Sequence, residues 1–211
     1  MNDVHNEPSG TGPHPAPAGP SDITGRSGLS SLLGVDHVRV AELIALFARR
    51  GMTVAAAESL TAGLFTATLT EIPGSSAVLR GGIVCYATDL KQSLVGVDGD
   101  LLAHHGPVHP DVAQQLADGA RARCGATVGV GLTGVAGPGP QDGVPPGTVF
   151  VAVTSDGAAR ARALPGQDTP TDRWQVRAAA VRAALDLLGE WADGAGSADD
   201  DAVAAPDAAP V

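Results

Sequence analysis

A chain of 211 residues, 44% of them hydrophobic, is long enough for one domain with a real core and too short for two comfortable ones. The formal net charge of −10 is uneven: Met1–Ser31 carries −2 and Asp193–Val211 carries −5, which leaves −3 on the middle and no basic stripe for nucleic acid. Two cysteines make no disulfide framework, no Cys/His spacing fits a zinc site, and no apolar stretch is long enough to span a bilayer.

Residues 1–33 are rich in Gly, Pro, Ser and His and are expected to be a disordered tail. The domain is expected over 34–193, and 194–211, rich in Ala and Asp, as a second disordered, acidic tail. Asp36 suits an N-cap, and Val40, Leu43, Ile44 and Phe47 make a helical stripe that Gly51 ends. Met52–Ala57 reads as a buried strand that leads through Glu58–Gly63 into a helix, with a break at Ile72–Ser76. Gly81–Tyr86 is a second strand, followed by short helices from Asp89 and over Leu101–His105.

Pro110–Cys124 is a helix with Val112, Leu116 and Ala120 on one face. Ala126–Leu132 is a third strand, and a long Gly/Pro loop, Thr133–Gly147, connects it to a fourth at Thr148–Thr154. Arg160–Leu164 is a candidate fifth. The last helix has Thr169 as N-cap, Pro170 in its first position and Asp172 in its first turn. Its apolar positions are Trp174, Ala178, Val181, Leu185 and Leu188. Strands alternating with helices predict an α/β fold, a three-layer α/β/α domain with a largely parallel central sheet. Sites in such sheets gather at loops leaving strand ends.

Several motifs invite chemistry. Gly129-Val130-Gly131-Leu132-Thr133-Gly134 spells G-x-G-x-x-G, but its first glycines lie inside a strand and a loop comes next instead of a helix, so no dinucleotide site is expected. Glu58-Ser59-Leu60-Thr61-Ala62-Gly63 sits where a strand becomes a helix, and free N–H groups there suit an anion; Ser59 or Thr61 could equally be a plain cap. His104 and His105 are adjacent and cannot share a metal from one helix. Cys85 lies beside Ile83 and Val84 and reads as core. The chain has twelve arginines but one lysine, Lys91, five residues after its one tyrosine, Tyr86. Arg cannot lose its proton, so the retained amine is either a place where a base is needed or a surface lysine kept by chance, and composition alone leaves both open.

Taken in order, Glu58-Ser59-x-Thr61-x-Gly63, Pro73-Gly74-Ser75-Ser76, Gly81-Gly82-x-Val84-x-Tyr86-x4-Lys91, Thr133-Gly134-x-Ala136-Gly137-Pro138 and Pro145-x-Gly147-Thr148-Val149 resemble the CinA C-terminal family. The resemblance covers roughly Val40–Leu188. It implies a stand-alone, PncC-type nicotinamide-nucleotide amidohydrolase that hydrolyses the carboxamide of nicotinamide mononucleotide without metal or other cofactor. It further implies Ser76 as nucleophile, Lys91 as its base and Tyr86 close by. Ser59, Thr61, Thr133, Gly134 and Arg173 would bind or orient substrate. The residues themselves leave Ser75 and Ser76 both open; the resemblance favours Ser76. Leu60 stands where the family often has Cys, and Ala62 where it often has Gly, a methyl expected to narrow the helix entrance. The alternative is a catalytically silent binding or regulatory module linked to competence or stress. The expected partner is a small nucleotide, with no nucleic acid and no membrane. The expected setting is the cytoplasm, since no basic start precedes an apolar run. The resemblance implies a homo-oligomer.

Overall fold

The computed structural model describes residues 28–156, 158–164 and 172–200, with side chains to residue 194. The helices are α1 (Leu29–Leu33), α2 (His37–Arg49), α3 (Leu64–Thr70), α4 (Thr88–Val95), α5 (Gly99–His105), α6 (Pro110–Cys124) and α7 (Arg173–Asp200). The strands are β1 (Val54–Glu58), β2 (Leu79–Val84), β3 (Val128–Gly134), β4 (Val149–Ser155) and β5 (Ala158–Leu164). A 3-10 turn, Ser75–Ala77, leads into β2.

The strands lie in the order β2-β1-β3-β4-β5. β1 runs parallel to β2 and β3, whereas β4 is antiparallel to both β3 and β5. The fold is α/β as expected, but the sheet is mixed where a largely parallel one was predicted. The connections explain why. β1 reaches β2 through α3, and β2 reaches β3 through α4–α6, whereas β3 reaches β4 through a loop. A parallel return needs a crossover of a dozen or more residues, usually a helix. The Gly/Pro loop supplies none, so the chain turns back on itself.

Alternation along β1 divides the core. Val54 and Ala56 face the layer of α1, α2, α3 and α7, with Phe65, Val181 and Leu188. Ala55 and Ala57 face α4–α6, with Val112 and Leu116. The glycines of the rejected G-x-G-x-x-G serve this second layer: a Cβ on Gly129 would fall 2.0 Å from the Ala117 carbonyl, and one on Gly131 2.0 Å from that of Ala113. They let α6 lie against the sheet.

Asp36 caps α2 through the Val38 N–H at 2.9 Å, as its position predicts. α7 departs from expectation. Thr169 and Pro170 lie outside the described residues, and Asp172 accepts from the Gln175 N–H at 3.0 Å as the cap. The domain also extends past both predicted boundaries. Residues 29–33, assigned to the tail, form α1 with Leu33 buried in the core. Glu71 holds that helix by accepting from the N–H groups of Leu29 and Ser30 and from the Ser30 hydroxyl. At the other end α7 continues to Asp200. Among the described residues no helix is long and apolar enough to cross a membrane.

Candidate active site

Because β1, β2 and β3 run parallel, their C-terminal ends open on the same side of the sheet. A cleft of about 370 Å³ lies there, its polar side chains being Ser59, Tyr86, Lys91, Thr133, Gln141 and Arg173. Among the described residues no carboxylate lines it, although the chain as a whole is strongly acidic.

Lys91 is on the first half of α4 and is 1% exposed. Its Nζ donates to Ser59 Oγ at 3.1 Å, to the Cys85 carbonyl at 3.0 Å and to the Tyr86 carbonyl at 3.3 Å. All three acceptors are neutral. Burial therefore pushes the amine below the usual lysine range, more than Cys85 and Asp89 raise it. A lysine so placed gives up its proton more readily than an exposed one.

Ser59 leaves β1 and forms the turn into α3. Neither Ser59 nor Thr61 caps that helix, as a plain reading of the motif allowed. Glu58 does so, its buried carboxylate accepting from the N–H groups of Gly63 at 2.9 Å, Phe65 at 3.1 Å and Thr66 at 3.0 Å, and from the Thr66 hydroxyl at 2.9 Å. The α3 N-terminus is thus filled by an anion of the protein's own and is no phosphate site, while the Ser59 hydroxyl is left for Lys91. Thr61 is fully buried away from the cleft lining, and its Oγ1 has no hydrogen-bond partner among the described residues.

The remaining expected residues separate into two groups. Thr133, at the end of β3, donates from Oγ1 to the Pro107 carbonyl at 2.6 Å, and Gly134 is next along the cleft. A Cβ on Gly134 would meet the Thr148 carbonyl at 2.6 Å. Arg173, exposed at the start of α7, donates to the Gly137 carbonyl at 2.9 Å and to the Tyr86 hydroxyl at 2.8 Å, joining the β2 exit, the long loop and α7 across the cleft mouth. Ser75 and Ser76 are not brought to this cleft. They precede β2, whereas Lys91 binds the carbonyls just after β2, so the strand length separates them. Ser75 is buried and Ser76 exposed, both at the opposite end of the sheet. The hydroxyl that meets Lys91 is Ser59, which corrects the expected Ser76–Lys91 pair.

Burial pushes the Cys85 thiol up, against the pull of nearby Lys91, in keeping with a core residue. Among the described residues no group of three His, Cys, Asp or Glu side chains is placed to hold a metal. Two residues carry the site without having been singled out by pattern. Glu58 was visible only as the first letter of its motif. Arg177, one helical turn after Arg173, donates to the Leu60 and Thr61 carbonyls at 3.0 and 3.1 Å.

Fold and cleft together define an α/β domain that presents a buried lysine–serine pair at the parallel strand ends. Residues 37–192 match the CinA C-terminal domain, and the chain belongs to that family. It is 45% identical over 157 residues to a CinA-like protein of Frankia casuarinae, covering 74% of this chain and 35% of that protein. It is 42% identical over 122 residues to a putative competence-damage inducible protein of Bacillus subtilis, covering 58% and 29%. The chain thus spans about a third of the length of the curated relatives it matches. Among solved structures, competence/damage inducible protein CihA of Agrobacterium tumefaciens aligns with a TM-score of 0.69 at 36% identity, over 73% of this chain and 93% of that one. A CinA superfamily protein of Klebsiella pneumoniae aligns with a TM-score of 0.70 at 29% identity, over 75% and 98%.

Proposed function

We propose that this domain is an amidohydrolase that converts nicotinamide mononucleotide to nicotinic acid mononucleotide and ammonia, with Ser59 as nucleophile and Lys91 as general base. The observation that carries the reading is the 3.1 Å contact between the buried Lys91 amine and the Ser59 hydroxyl at the cleft. An amide is a weak electrophile, so the attacking hydroxyl must lose its proton as it attacks. Neutral Lys91 takes that proton while Ser59 Oγ bonds to the carboxamide carbon. Collapse of the tetrahedral intermediate breaks the C–N bond, and Lys91 returns the proton to the departing ammonia. Water then hydrolyses the acyl-enzyme by the same exchange and frees Ser59.

The charge of the cleft supports an anionic substrate. Among the described residues Arg173 is bonded to a phenol and a carbonyl, and no carboxylate lines the walls, so its guanidinium can take a phosphate without losing an ion pair. The substrate's pyridinium ring withdraws electrons from its carboxamide and further disfavours a protonated lysine beside it. Thr133 and Tyr86 would orient the nucleotide.

The test is ammonia release from nicotinamide mononucleotide, with and without EDTA, by the wild type and Lys91→Arg. Release by the wild type in both conditions and none by the variant is the expected result. A folded wild type that releases no ammonia would replace the reading with a silent binding module or a different amide substrate. An active Lys91→Arg would remove the base.

A further inference from the structure

We infer that Arg177 is a positioning residue for this chemistry: it holds the two carbonyls after Ser59 turned away from the cleft, where the oxyanion develops. The inference rests on the Ser59–Lys91 reading of the site. Arg177 does not line the cleft. It reaches the turn from α7, donating from Nε to the Leu60 carbonyl at 3.0 Å and from Nη2 to the Thr61 carbonyl at 3.1 Å.

In a trans peptide the carbonyl and the following N–H point in opposite directions. Drawing the Leu60 and Thr61 carbonyls toward Arg177 therefore turns the N–H groups of Thr61 and Ala62 away from it. The Ala62 N–H donates to the Ser59 carbonyl at 3.1 Å and is taken up within the turn. Glu58 takes the N–H groups of Gly63, Phe65 and Thr66, so it holds the far end of the turn.

The turn needs such a hold. Ala62 has φ +49° and Gly63 φ +94°, a left-handed pair in which the alanine is strained. A flip of the Leu60–Thr61 peptide would set a carbonyl dipole beside Ser59, where negative charge grows during attack, and would oppose the reaction. The Thr61 carbonyl has a second donor in the Leu64 N–H at 3.2 Å, whereas Leu60's side-chain donor is Arg177. A planar guanidinium spans two adjacent carbonyls, which a lysine ammonium does not match in geometry.

The experiment compares wild type, Arg177→Gln, Arg177→Lys and Trp174→Leu by two readouts. One is steady-state ammonia release from nicotinamide mononucleotide. The other is the rate at which a fluorophosphonate labels Ser59, located by peptide mass spectrometry, which needs no knowledge of the substrate. Arg177→Gln should lower kcat and the labelling rate by about ten- to a hundredfold, with KM changed by less than about twofold. The pH at which activity rises should not move, because Lys91 keeps its surroundings. Arg177→Lys should recover only part of the loss. Trp174→Leu removes the ring that stacks 5.9 Å from the guanidinium and should leave both rates intact, separating the carbonyl clamp from packing of the arginine. Wild-type rates in Arg177→Gln, or a loss confined to KM, would overturn the inference. A wild type labelled at Ser59 but inactive on the nucleotide would remove the substrate assignment, and the labelling rates of the variants would still decide the role of Arg177. A folded wild type that is not labelled at Ser59 would overturn both.

Discussion

Replacing Ser59 and Ser76 separately by alanine tests which hydroxyl reacts. Ser59 Oγ accepts from Lys91 Nζ at 3.1 Å. Ser76 is exposed on the turn before β2, and Lys91 binds the Cys85 and Tyr86 carbonyls beyond that strand's other end. At about 3.3 Å of rise per residue, the path from Leu79 to Cys85 spans about 20 Å. No rotamer of Ser76 closes that gap within the chain. Ser59→Ala should lower kcat/KM for ammonia release by about 10³-fold or more, about 4 kcal/mol of barrier. Its folding cost should be small, about 1 kcal/mol for one lost neutral hydrogen bond, or a Tm lower by about 2–4 °C in a domain of this size. Ser76→Ala should stay within about twofold of wild type, as a surface change away from the cleft. The assay is ammonia release with chromatographic loss of the nucleotide, beside a thermal melt of each variant. An inactive, folded Ser76→Ala beside an active Ser59→Ala would refute the geometric argument and return the nucleophile to the turn before β2.

Four further outcomes rest on the same geometry. Activity should rise with pH through a limb that levels off below the ordinary lysine value of 10.5, since burial lowers Lys91 and its neutral form is the base; a limb at or above 10.5 would contradict this. The folded state then holds fewer protons at Lys91 than the unfolded chain does between the two pKa values, so urea midpoints should also rise with pH across that interval. Ala62→Gly should raise stability by about 0.5–1 kcal/mol in urea unfolding, because the left-handed cost to a Cβ exceeds the extra chain entropy of glycine; a loss of stability would show the strain to be absent. Thr61→Val should be neutral or stabilising by about 1 kcal/mol and keep activity, its buried hydroxyl having no partner among the described residues. An inactive, folded Thr61→Val would put that hydroxyl back at the substrate.

The departure at Ala62 shows how a motif and its structural cause differ. The resemblance marked glycine as the usual residue there, and an added methyl was expected to narrow the helix entrance. The constraint is the backbone instead: φ is +49°, a region glycine occupies without strain.

Much was legible from the residues alone. Helical and strand periodicities located α2, α6 and all five strands to within a few residues, because those patterns record burial on one face or both. The single lysine among twelve arginines left a base and a chance surface residue equally open, and its burial decides against the surface reading. The strand setting of Gly129 and Gly131 ruled out a nucleotide loop, and α6 packs against both. The short α1 was hidden in Gly, Pro and Ser composition, since its stability comes from Glu71, more than forty positions away. The mixed sheet could have been inferred from the absence of a helix between β3 and β4. Which serine meets Lys91 was decided only in three dimensions. Motif order places Ser59, Ser76 and Lys91 along a line but does not say at which end of the sheet each lies. Parallel pairing of β1 with β2 brings the exits of both strands together, Ser59 with the carbonyls that hold Lys91, and leaves Ser75 and Ser76, at the entrance to β2, on the far side of the sheet.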